Sequence, residues 1–248
     1  DQALTEERLR LEVQEKHQII RSKDQLIAAV SHELRTPLTG ILGFAETLRE
    51  QGSSLDPEIM SEAIASIANE STDLANIVDD LLTAARFELG ALSAHTTPTD
   101  LAAIARRVIE ALSTRVDLEI ETELLPAVAE VDAPRVRQIL RNLITNASRY
   151  GGDRIVVRTS RSNGTAKIEV SDNGVGIGDA DPETIFAPYQ SAHEPGTQPG
   201  SVGLGLTISR HLAQLMGGDL TFRRDAMWSV FSLAFQDNPG SSSAEIEA

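Results

Sequence analysis

His32 and Glu33 are the first adjacent pair in this 248-residue chain whose types invite chemistry. A neutral imidazole can attack phosphorus without a metal, and an adjacent carboxylate can orient the second ring N–H or take its proton. A lone surface histidine is commonplace, so the pair acquires meaning only with a phosphoryl donor. Three later stretches offer one. Asp172-Asn173-Gly174-Val175-Gly176-Ile177 follows a strand-like run, so its carboxylate can accept a hydrogen bond from an exocyclic amine while the glycines let a flat base lie on the backbone. Gly200-Ser201-Val202-Gly203-Leu204-Gly205-Leu206 opens a helical pattern, and the free N–H groups at a helix start attract phosphate oxygens. Asn142 and Asn146 stand four apart on one helical face, where an amide oxygen suits a hard cation such as magnesium. Arg149, three beyond Asn146, can meet a phosphate. Taken singly, each stretch also reads as a plain turn, a flexible cap or a helix-end cation. None carries the Rossmann glycine spacing or the Walker Lys-Ser/Thr ending.

Two kinds of element must hold these groups. From Leu4 to Glu50 charged and apolar residues interleave as in one long helix; with Ile27 at heptad position a, Val30, Leu34, Ile41 and Leu48 form a seam and His32 takes the outward position f. Pro37 predicts a local bend. After Gln51–Leu55, Asp56-Pro57 starts a second helix with Met60, Ile64, Ile67, Leu74, Val78, Leu81 and Ala85 as its seam, stopped at Gly90. One such antiparallel hairpin has too few large side chains to stand alone, which predicts dimerisation into a four-helix bundle. Ser93–Thr99 reads as a linker. Beyond it the period changes to helix at Leu101–Leu112, strand at Val116–Leu124, helix at Pro134–Tyr150, strands at Ile155–Thr159 and Ala166–Ser171, helix at Leu204–Met216, and strand-like residues up to Phe235. Asn238 onward reads as a disordered tail.

Composition narrows the partners. A formal charge of −15 opposes non-specific binding to a phosphate backbone, so no nucleic acid is expected, and any phosphorylated ligand must be held by a few aimed donors. No apolar run is long enough to span a membrane, the first residues lack the order of a secretory signal, and cysteine is absent. A cytoplasmic segment with no membrane part of its own is expected.

The order of the motifs is recognisable: Ser31-His32-Glu33-Leu34-Arg35-Thr36-Pro37, then Asn142–Asn146, Asp172–Ile177, Ile185-Phe186-Ala187-Pro188-Tyr189, and Gly203-Leu204-Gly205-Leu206. The chain resembles a sensor histidine kinase over roughly residues 20–235. The resemblance implies an N-terminal signalling coiled-coil helix (1–22), a dimerisation and histidine phosphotransfer hairpin (23–92), a linker (93–99), a catalytic ATP-binding domain (100–237) and a tail (238–248). The catalytic domain should be a Bergerat-type α/β sandwich, a mixed sheet with helices on one face. The implied cofactors are ATP and Mg2+. The implied partners are a second copy through the hairpin, the receiver domain of a response regulator, and an upstream sensor of PAS type in a longer protein, to which a membrane anchor can belong.

Carried over by position, His32 is the phosphoacceptor, Glu33 its neighbouring acid, and Thr36 the residue that would position water for removing phosphate from the partner. Asn146 would hold magnesium; Asn142, Arg149 and Tyr150 complete that box. Asp172 would read the adenine amine, Gly174 and Gly176 would shape its pocket, and Phe186 matches the phenylalanine box. Residues 191–202 would cover the phosphates, and Gly203, Leu204 and Gly205 would meet them. Two departures stand out: residues 191–200 contain no Lys or Arg, and Met227-Trp228-Ser229 stands where relatives often have a glycine. The competing readings are a Bergerat-type ATPase without phosphotransfer and a nucleotide-binding dimeric scaffold. The first is disfavoured because Gln138–Asn146 contains no Asp or Glu to activate water.

Overall fold

The computed structural model describes residues 27, 28, 30–52, 54–112, 120–177, 181, 183–187 and 205–236. The expected helix over 1–22, the phosphate cover at 191–202, Gly203, Leu204 and the tail lie outside these residues, as do residues 116–119 of the expected strand. The chain divides after Leu89 into two compact units.

The first unit is a helical hairpin. Helix α1 (residues 30–51) runs through Pro37, which is buried. Its end is closed by Gly52 N–H donating to the Leu48 carbonyl. Asp56 caps α2 (Pro57–Glu88) by accepting from Glu58 N–H, with Pro57 at the first helical position. Gly40 of α1 lies against the Glu70 side chain of α2, and Ala63 and Thr83 are buried on α2. Two residues assigned to the α2 seam, Ile64 and Val78, are 55% and 42% exposed in the single chain, in the company of Leu42 and Leu82. A helix in a hairpin turns one side to its neighbour in the chain, and these residues form a different side.

The second unit begins earlier than the sequence suggests. Residues 97–99, read as the end of a linker, belong to a strand, β1 (Thr97–Asp100), paired antiparallel with β3 (Val128–Val131). Pro98 hides this strand from a propensity reading, yet it is tolerated because the two-stranded sheet has only edges. The Asp132 carboxylate ties the entry down: it accepts from His95 N–H at 2.9 Å and from Arg135 N–H at 3.2 Å, so it caps α4 (Ala133–Tyr150) as well.

The main sheet contains β2 (Ile120–Leu124), β4 (Ile155–Ser162), β5 (Thr165–Asp172), β6 (Gly218–Asp225) and β7 (Trp228–Gln236) in the order β2-β4-β5-β7-β6. β2 and β4 are parallel and the remaining pairs antiparallel, a mixed sheet as expected. Strand β5 shows the alternation that sets its faces. Ala166, Ile168 and Val170 are buried, while Lys167 and Glu169 are partly exposed. Helices α3 (Leu101–Leu112), α4 and α5 (Gly205–Leu215) supply Leu101, Ile104, Val136, Ile139, Leu143 and Leu212 to the core. The polar face is laced by cross-strand ion pairs, Glu121 with Arg154, Glu123 with Arg158 and Glu169 with Arg223. A sheet with one apolar and one charged face needs helices on one side only, which is the two-layer sandwich observed.

Candidate functional site

Of the candidate site residues in the second unit, Asp172, Gly174 and Gly176 lie where β5 ends. Asp172 is the last residue of β5 and 7% exposed. Its Oδ1 accepts from Gly174 N–H at 3.0 Å. Burial pushes its carboxyl above the usual aspartate range, against the opposing effects of the Gly174 N–H, the Arg224 charge and the Ser229 hydroxyl. The turn that follows is tight. Gly176 has φ +71, a region that favours glycine, and a Cβ there would lie 2.7 Å from Arg224 Nη1.

Helix α4 brings Asn142 and Asn146 to one side, both half-buried, above a core face of Val136, Ile139, Leu140, Leu143 and Ala147. Asn142 turns toward α5: its Nδ2 donates to Ser209 Oγ at 3.0 Å. A side chain on Gly205, the first residue of α5, would collide with the Asn142 amide. The glycine at this helix start therefore admits an amide from α4, besides any close approach of phosphate. Arg149 is exposed near the end of α4 and Tyr150 half-buried at its last position.

Phe186 is buried in a single 3-10 turn, Thr184–Phe186. Two α5 residues fasten it. Buried Thr207 donates its hydroxyl to the Phe186 carbonyl at 2.9 Å, and the Arg210 guanidinium lies 4.7 Å from the Phe186 ring centroid. Arg210 also pairs with Glu183 at 2.5 Å and with Asp219 at 3.1 Å.

The structure thus brings Asp172, Gly174 and Gly176 together at one turn, and joins Asn142 with Gly205 and Phe186 with α5. Sequence reasoning missed Thr207, Ser209, Arg210, Arg224 and Ser229. Thr207 and Ser209 stood within two and four residues of the Gly205 motif; no local pattern marks the others.

Residues 31–37, with His32 and Thr36, belong to the hairpin unit. His32 is exposed on α1, Thr36 lies one turn on, and its hydroxyl donates to the His32 carbonyl at 3.2 Å. Arg35, Thr36 and Thr39 share one open depression with His32. Glu33 is half-buried.

Comparison with known proteins gives the same division. Residues 22–90 match the His Kinase A (phospho-acceptor) domain, and residues 131–241 match the histidine kinase-, DNA gyrase B- and HSP90-like ATPase domain. The virulence sensor protein BvgS of Bordetella bronchiseptica is 34% identical over 218 residues, covering 82% of this chain and 17% of that protein. The chain therefore spans less than a fifth of that relative's length. Among solved structures, full-length ShkA in complex with AMPPNP has a TM-score of 0.55 and 28% identity, over 87% of this chain and 46% of that one. The histidine kinase ThkA in complex with the response regulator TrrA has a TM-score of 0.57 at 23% identity, over 92% of this chain and 66% of that one, a likeness of fold. Among the described residues no helix is long and apolar enough to cross a membrane. With the phospho-acceptor helices first and the ATPase-type sandwich after them, the chain belongs to the sensor histidine kinases of two-component systems.

Proposed function

We propose that this chain is the kinase core that transfers the γ-phosphoryl group of ATP to His32 and then to an aspartate of a response regulator. The observation that carries the reading is the exposure of His32 on α1, one turn from Thr36, in a chain that also holds the buried Asp172 carboxylate above a glycine turn. An imidazole nitrogen attacks the γ-phosphorus in line, the bond to the ADP oxygen breaks, and the other ring nitrogen gives its proton to Glu33 or to water. Asp172 would accept the adenine amine, Phe186 would border the pocket, and the N–H groups at the start of α5 would face the phosphates.

Magnesium fits the donor set. Among the described residues no three His, Asp or Glu side chains gather to cage a metal. Asn146 offers one amide oxygen, as suits an ion that keeps phosphate oxygens and water for the rest of its shell. Its charge would neutralise phosphate oxygens. Arg149 would supply further positive charge. The apolar side of α2 bearing Ile64 and Val78 would meet a second copy, completing a four-helix bundle. Residues 91–94, between α2 and the bond from His95 to Asp132, would form the turning segment that lets the catalytic domain reach His32. An upstream sensor domain would set the packing of the helices, and Thr36 would serve dephosphorylation of the partner.

The test is incubation with γ-labelled ATP and magnesium. Wild type should carry acid-labile, base-stable label and His32→Ala none. Label on the alanine variant, or released phosphate without labelled protein, would refute the assignment.

A further inference from the structure

We propose that Arg224 is a positioning residue for nucleobase recognition: by bracing the Gly174–Gly176 turn and Ser229, it holds the Asp172 carboxylate in the pose that selects an amino-bearing purine. This rests on the reading of Asp172 as the group that meets the adenine amine.

The argument comes from strand register. Asp172 of β5 is directly opposite Ser229 of β7, and Ser229 is directly opposite Arg224 of β6. The three form one row across the end of the sheet. Arg224 reaches along that row: Nη1 donates to Ser229 Oγ at 2.7 Å and to the Gly174 carbonyl at 2.9 Å. The Ser229 hydroxyl in turn donates to Asp172, and Gly174 N–H donates to the same carboxylate. Gly174 is therefore gripped on both sides of its backbone, by Asp172 through its N–H and by Arg224 through its carbonyl. Ser229 is buried, so a hydrogen-bond partner lost there would be costly.

Among the described residues, the groups around Asp172 leave this role to Arg224. From β4 the opposing residue is Ile155. The preceding Arg154 is committed to Glu121 and lies 5.6 Å from the Trp228 ring centroid. Asp153 is bonded to Asn173, and the end of α4 presents Tyr150 and Gly151. Arg224 is thus the cation whose charge favours ionised Asp172, and a protonated Asp172 has one oxygen fewer to accept an amine.

The discriminating probe is a pair of nucleotides, ADP and inosine diphosphate, which share phosphates and ribose but differ in the purine amine. Their Kd ratio, taken by calorimetry with magnesium between pH 5.5 and 8, cancels titration of the phosphates. Wild type should prefer ADP by roughly tenfold or more, as expected for a hydrogen bond to a charged acceptor. Arg224→Gln should lower the preference about three- to tenfold and move its loss in acid to higher pH, while Arg224→Lys recovers part of both. Thermal melts confirm that each variant is folded. If Arg224→Gln weakens both nucleotides equally, with ratio and acid limb unmoved, the residue is merely structural and the inference is overturned. If Asp172→Asn itself leaves the ratio unchanged, the underlying assignment of Asp172 fails instead.

Discussion

Arg210 offers a sharp test of how the phenylalanine turn is held. Its side chain is 21% exposed, forks onto Asp219 with Nε at 3.1 Å and Nη2 at 3.4 Å, meets Glu183, and covers the Phe186 ring. Truncation to alanine leaves no buried orphan charge, because Asp219 and Glu183 are 43% and 67% exposed and regain water. The loss is then about 1 kcal/mol for the forked ion pair, about 0.5–1 kcal/mol for the cation over the ring, and about 0.5 kcal/mol for the packed stem. Arg210→Ala should cost about 2 kcal/mol, or a fall of roughly 6 °C in Tm for a domain of this size. Arg210→Lys keeps charge but loses the fork and should sit near halfway. Urea and thermal denaturation of wild type and both variants give the numbers, and autophosphorylation gives the KM for ATP, which should rise more than kcat falls. An alanine variant within about 0.5 kcal/mol of wild type, or a lysine variant indistinguishable from it, would refute this account of the turn.

Three further outcomes follow from the geometry. Burial raises the Asp172 pKa, so the folded state holds that proton more tightly than the unfolded chain, and stability should decline as pH climbs from 3.8 through the raised value. Asp172→Asn should therefore melt higher than wild type at neutral pH, with the gap closing in acid and ADP binding lost; a lower melt independent of pH contradicts this. Gly205→Ala should cost about 1–3 kcal/mol by overpacking against Asn142, and Asn142→Ala in the same chain should return part of it in thermal melts. Ile64→Arg with Val78→Arg should convert a dimer to a monomer in light scattering, since a charged side chain would be buried at each site; a dimer that persists excludes that side of α2 as the interface.

Helices α2, α3, α4 and α5, the Asp56 cap of α2 and the order of the two units were legible because the signals are local. Heptad spacing placed His32 outward, Asp56-Pro57 began α2, and the Asn163-Gly164 turn joined β4 to β5. The motif residues could be named one by one for the same reason. Strand β1 was not legible, since a segment of four residues with Pro98 inside it argues against a strand and becomes one only when β3 is there to pair with it.

What the amino-acid order determines by itself is periodicity, capping and the spacing of glycines and amides, all of which act within a few residues. Tertiary structure decides which distant side chains complete them. Arg224 is 52 residues from Asp172 in number, yet register across β5, β7 and β6 places it in the same row. Arg210 likewise joins Glu183, Phe186 and Asp219 only once α5 lies between the 3-10 turn and β6. Strand pairing and helix docking are non-local, and their partners follow from burial of the shared core, which no short window of sequence contains.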